Sequence, residues 1–259
     1  LLIYDPNESM PSGVVNSGGQ RRPGGEPKTL SEWLSNPNYK TGTVLDYEFD
    51  TTSTVPKYSY IKGDITNAYT NKVSEVLRSM MFMPLEDPSH PAALIVMDKV
   101  TSTNPTFKKT WLLHTLQNPT ISGNTAFVKR NSGSYNGRLD LTTLLPADAT
   151  LKKVGGEGNE FSIAGTNYPP SEASLAFSGN EAGTWRIEVS PSTNKATDYF
   201  LNVMQVSASS ENAEPLAATL IETDTLAGAK IYNRVAIFNK NAERINVATE
   251  FTIPGTEQS

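Results

Sequence analysis

Thr184-Trp185-Arg186-Ile187-Glu188-Val189 sets aromatic and branched apolar residues at every second position, with polar or charged residues between them. Side chains along a strand point alternately to opposite faces, so this alternation describes a β-strand with one dry face and one wet face. Lys108-Lys109-Thr110-Trp111-Leu112-Leu113-His114-Thr115 has a basic start, an apolar centre and one histidine. Arg138 to Leu145 reads as a further strand, closed by Pro146, and Leu94-Ile95-Val96-Met97 is an unbroken apolar run suited to a strand covered on both faces.

The theme repeats outward from these segments. Thr43 to Phe49, Lys57 to Lys62, Tyr199 to Val206, Ala217 to Glu222, Ile231 to Phe238 and Ile245 to Ile253 all have strand character. Turn chemistry separates them at Asp87-Pro88, Asn104-Pro105, Asn118-Pro119, Gly133 to Gly137 and Tyr168-Pro169-Pro170. No segment sustains a helical period over three turns, so the expected fold is all-β, a layered antiparallel β-sandwich. Small and polar residues take over at Ser207 to Pro215, which divides the chain into a β-sandwich over residues 1–206 and a small C-terminal β-sheet extension over residues 207–259.

Residues 5–42 are rich in Gly, Pro, Asn and Ser, with Gly18-Gly19-Gln20-Arg21-Arg22-Pro23-Gly24-Gly25 at their centre, and read as a long excursion between strands. Inside it, Thr29 followed by Glu32 predicts one helical turn opened by a capping box.

Composition narrows the function classes. The 259 residues include no cysteine, which excludes a disulfide framework and any thiolate metal site. A net charge of −5 without charge blocks argues against a nucleic-acid partner, which would need a concentrated Lys/Arg surface. No run of eighteen apolar residues is present, so no membrane span is expected.

Few residues invite a chemical role. His114, at the end of an apolar strand, is a candidate substrate-facing group, weighed against a histidine satisfied within the sheet. His90, between Ser89 and Pro91, reads as a surface-loop residue. Asp64 is placed for an Asx-turn, and Arg78 and Arg186 for pairing with carboxylates. Arg21 and Arg22 lie in a glycine-rich loop, where a guanidinium could hold a carboxylate in bidentate fashion and would otherwise be solvated. Trp111 and Trp185 fall on apolar strand faces and are expected in the core, whereas Trp33 stays open.

The order Tyr60 to Tyr69, Arg78, Ile95 to Val100, Trp111 to His114, Leu144-Leu145-Pro146, Val154-Gly155-Gly156, Trp185 to Val189 and Asp198 to Leu201 resembles the β-sheet region of heparinase II/III-like polysaccharide lyases, over roughly residues 1–206. The resemblance implies an N-terminal helical toroid followed by layered β-sheets, and cleavage of uronate-containing polysaccharide by β-elimination. It implies a zinc site in the parent protein and a periplasmic or secreted location. The chain opens on Leu1-Leu2-Ile3-Tyr4 with no initiator Met, so the toroid and the metal-bearing and catalytic strands are expected upstream. No catalytic or metal residue carries over onto this chain, and Arg21, Arg22 and His114 remain as candidates for substrate binding. The alternative is a non-catalytic carbohydrate-binding or surface-structural β-sandwich.

Overall fold

The computed structural model describes residues 1–259 except 22, 26, 53, 55, 172–182, 211–213 and 244–259. The strand expected over Ile245 to Ile253 lies outside the described residues. Those described form β1 (Leu2–Tyr4), α1 (Leu30–Ser35), β2 (Thr43–Phe49), β3 (Ser59–Asp64), β4 (Val73–Pro84), β5 (Ala92–Ser102) and β6 (Lys108–Thr115). There follow β7 (Thr120–Ser122), β8 (Thr125–Ser132), β9 (Tyr135–Leu145), β10 (Thr150–Gly155), β11 (Ser162–Ile163), β12 (Thr166–Asn167), β13 (Trp185–Ser190) and β14 (Thr197–Ser207). The last strands are β15 (Ala218–Glu222), β16 (Leu226–Ile231) and β17 (Arg234–Asn239).

The strands build three antiparallel layers. An eight-stranded sheet in the order β2-β3-β4-β5-β14-β9-β8-β7 lies in the middle, a four-stranded sheet β1-β6-β13-β10 on one side and a three-stranded sheet β15-β16-β17 on the other. The central strands read as continuous apolar runs because both of their faces are covered. In β5, Val96 and Val100 pack with Trp111, Ile187 and Val189 of the four-stranded sheet, while Ile95 and Met97 pack with Ala227, Ala229 and Phe238 of the three-stranded sheet. In β14, Phe200 serves the first core, and Leu201 and Val203 the second.

Several buried charges are paired, which offsets the desolvation penalty. Arg78 grips Asp98 with two bonds of 2.7 and 3.0 Å, and the Asp98 side chain is fully buried. Lys109, also fully buried, reaches Asp198 at 3.0 Å. Lys72 bonds Glu8 at 2.8 Å and the Gly19 carbonyl at 2.7 Å, which fastens the excursion to the foot of β4.

The excursion contains the expected helical turn. Thr29 Oγ1 accepts from the Glu32 amide at 3.1 Å, and Glu32 reaches back to the Thr29 amide at 3.2 Å, closing the capping box at the start of α1. No residue of α1 is buried, and Trp33 is exposed.

Two local expectations are corrected. His90 is buried, not a surface-loop residue: Asp87 Oδ1 accepts from its backbone amide at 2.8 Å and lies 3.3 Å from its ring Nδ1, turning the loop inward. Ile231 to Phe238 is not one strand, because Tyr232 takes a positive φ of 52° and turns β16 into β17. Asp64 does make its Asx-turn, accepting from the Thr66 amide at 2.8 Å.

Candidate functional site

The alternation of β13 and β6 decides what the four-stranded sheet shows to solvent. Register pairs Arg186 with His114, Ile187 with Leu113, Glu188 with Leu112 and Val189 with Trp111. Trp111, Leu113, Ile187 and Val189 point into the core, so Leu112, His114, Arg186 and Glu188 share the outer face. On the neighbouring strands the same parity brings Lys152, the partner of Glu188, and Leu2, the partner of Thr110, to that face.

A groove of about 840 Å³ runs over this face. Asn16 and Ser17 of the excursion stand along one side and the turn carrying β11 and β12 along the other. Both walls are tied down. The Ile3 amide donates to the Gly18 carbonyl at 2.7 Å, so the excursion runs along the outer edge of β1, and Asn16 Nδ2 donates to the Asp5 carbonyl at 2.7 Å. Opposite, Arg186 Nη2 donates to the Ser162 carbonyl at 2.7 Å and Nε to Glu188 at 2.8 Å.

Lys108, Lys152, Lys153 and Arg186 line the groove against Glu160 and Glu188. Lys153 is committed to Asn118 Oδ1 at 2.7 Å and the Pro119 carbonyl at 3.0 Å. Glu160 is held below the usual carboxylate range by its own backbone amide and by Asn167. The side chains of Lys108 and Lys152 make no hydrogen bond or ion pair with any described residue, so their ammonium groups are available to a ligand. Burial and then the adjacent Arg186 guanidinium lower the His114 pKa, which keeps its imidazole neutral at neutral pH. The face thus offers a neutral acceptor and donor beside fixed positive charge, in a protein whose net charge is −5.

Arg21 does not line this groove. Its Nε donates to the Asn67 carbonyl at 2.6 Å, its Nη2 to the Asn38 carbonyl at 3.0 Å and its backbone amide to Ala68 at 2.9 Å, so it knits the excursion to the turn before β4. Arg22 lies outside the described residues. The structure brings His114 together with Arg186 and Lys152, two contributors not singled out as ligand contacts in the sequence. The signal for Arg186 was the wet-face alternation of β13, but that β6 and β10 would flank it was not readable.

Among the described residues no three of His, Asp and Glu are grouped to hold a metal ion. His90 and His114 do not meet, since the first is paired with Asp87 and the second faces the groove. The described residues therefore do not fit a zinc ion.

Fold and groove define an antiparallel, three-layered β protein with a basic outer groove. No protein-family model and no curated protein sequence matches the chain. Among solved structures it is similar to a heparinase III at 10% identity and a TM-score of 0.46, over 76% of this chain and 27% of that one. It is similar to the heparan sulfate lyase HepC from Pedobacter heparinus at 10% identity and a TM-score of 0.45, over 85% of this chain and 34% of that one. A further heparinase III aligns at 12% identity and a TM-score of 0.41, over 83% and 33%. The chain therefore spans 27% to 34% of the length of these structures.

Proposed function

We propose that this chain is the β-domain portion of a polysaccharide lyase and that it holds a uronate-containing polysaccharide along the groove of the four-stranded sheet. One observation carries the reading: Lys108 and Lys152, whose ammonium groups have no partner among the described residues, line the same wet face as Arg186 and a neutral His114. Carboxylates repeated along a sugar chain meet repeated cations there, and each charge-assisted bond shortens and strengthens relative to a neutral one.

Spacing supports binding in preference to chemistry within the groove. β-Elimination needs a group on the uronate carboxylate, a base at the adjacent carbon and an acid at the leaving oxygen, all around one sugar. Arg186 and His114 could serve one sugar, being cross-strand partners. Tyr4, the phenol lining the groove, pairs with Lys108, six residues from His114 and so about 20 Å away along β6. The reading therefore assigns elimination to residues outside this chain and retention of the polymer to the groove.

Binding of the chain to a uronate polymer and to the same polymer with its carboxyls reduced tests the reading, with ultraviolet absorbance of the unsaturated product followed in parallel. The expected result is salt-sensitive binding of the uronate form, little binding of the reduced form and no product. Equal binding of both forms, or of neither, overturns the assignment.

A further inference from the structure

Tyr4 and Lys108 stand opposite each other in the β1–β6 register, and both line the groove. Six residues of β6 separate Lys108 from His114, which is about 20 Å of extended strand. The face between them changes character. Leu2 and Leu112 are apolar, and the buried Thr110 and Ser190 hydroxyls bond each other at 2.9 Å. The groove thus carries positive charge at both ends and an apolar floor in its middle.

Three features suit the Tyr4 and Lys108 end to a charged sugar. The Lys108 side chain is exposed and makes no hydrogen bond or ion pair with any described residue. Tyr4 is 44% exposed, so an aromatic ring lies beside that ammonium with surface left to meet a sugar face. The carboxylates that line the groove stand elsewhere: Glu188 on β13 accepts from Arg186 at 2.8 Å, and Glu160 on the turn after β10 accepts from Asn167 at 3.0 Å. The wall at this end is fixed, because Asn16 Nδ2 donates to the Asp5 carbonyl while its Oδ1 accepts from the Gly18 amide at 3.0 Å. Binding there costs little ordering of the protein.

We infer that Tyr4 and Lys108 form a second subsite for an anionic sugar, set apart from Arg186, His114 and Lys152 by the floor of Leu2 and Leu112, so that the groove grips one polysaccharide at two separated charged sugars. The inference rests on the reading of the groove as a uronate-polysaccharide site. Sugar rings that cross the floor turn C–H faces toward Leu2 and Leu112, since a carboxylate there would lose water without gaining a partner. Linked contacts at both ends raise the affinity of a chain long enough to reach them, whereas a disaccharide occupies one end alone.

The test measures the affinity of the whole chain for a long uronate-containing oligosaccharide and for a uronate disaccharide. Lys108→Ala removes the charge and Tyr4→Ser the ring, while Lys108→Arg and Tyr4→Phe keep them. Thermal unfolding of each variant reports that the fold is retained. Lys108→Ala and Tyr4→Ser should weaken the long oligosaccharide by about tenfold and leave the disaccharide within about twofold of wild type. Lys108→Arg and Tyr4→Phe should bind both ligands nearly as wild type does, and Lys152→Ala should weaken both.

If Lys108→Ala and Tyr4→Ser bind the long oligosaccharide as wild type does while Lys152→Ala weakens it, the second subsite falls and the groove reading stands. Equal weakening of the disaccharide and the long oligosaccharide by Lys108→Ala would also sink the division into two subsites. Absence of any wild-type binding removes both readings. Inorganic polyphosphate competing as well as the long oligosaccharide would overturn the carbohydrate assignment.

Discussion

Arg186 and His114 stand directly opposite each other in the β13–β6 register, on the solvent side of the four-stranded sheet. A histidine in this setting loses its proton early, because partial burial and then the guanidinium both disfavour the imidazolium.

His114 should titrate below its ordinary value of 6.5 when its ring resonances are followed by NMR. Arg186→Gln should move the midpoint part of the way back, since burial remains. For stability the sign follows from linkage. The unfolded chain takes up this proton at higher pH than the folded chain, so the full contribution is present above 6.5 and is lost as pH falls through the folded value. His114→Asn should flatten that part of the stability profile, and a midpoint at or above 6.5 in the wild type would refute the account.

Arg78→Ala leaves the fully buried Asp98 carboxylate without its two-bond partner. The expected loss is about 3–5 kcal/mol in chemical unfolding. Replacing both residues by apolar ones, Arg78→Met with Asp98→Leu, should recover most of it. A cost below about 1 kcal/mol for the single change would mean that water reaches Asp98.

Gly155 and Gly156 adopt φ of 144° and 82° where the chain passes Trp185. A Cβ at Gly155 would meet the Thr184 carbonyl oxygen at 2.3 Å, and one at Gly156 the Trp185 ring at 2.8 Å. Both alanine variants should destabilise the protein, by about 1–3 kcal/mol from backbone strain alone. Gly155→Ala should be the worse, because backbone yields less readily than a ring. Gly156→Ala should also shift Trp185 fluorescence, and equal stability of both variants with wild type would contradict this packing.

Thr29→Ala breaks the capping box of α1, a change worth about 1 kcal/mol to a helix end. Because α1 buries no residue, the loss should appear as faster amide exchange within residues 30–35 and leave the global melting temperature nearly unchanged. A large drop in melting temperature would show that α1 is coupled to the core.

Much of the scaffold was legible because strand parity is written in single residues. Ile187 and Val189 announced a dry face and Leu94 to Met97 a strand buried on both sides, whereas Trp185, also expected in the core, is only half-buried at the end of β13 and joins neither core cluster. Thr29 and Glu32 announced a cap. The groove was less legible, since it depends on β13 pairing with β6 across some seventy intervening residues, a long-range choice that local pattern does not encode. Lys72 and Lys109 are buried against carboxylates distant in sequence, and no local signal marks them as core residues. His90 also turned inward, although its compensating bonds come from Asp87, only three residues earlier.

The most direct measurement is NMR mapping of the chain titrated with a uronate oligosaccharide. The account predicts shifts at the His114 ring, at the Arg186 guanidinium and at backbone amides of Lys152 and Leu112, together with a rise in the His114 pKa as a carboxylate settles beside it. Shifts confined to the Gly18 to Gly25 loop, or a His114 pKa that does not respond to saturating ligand, would contradict it.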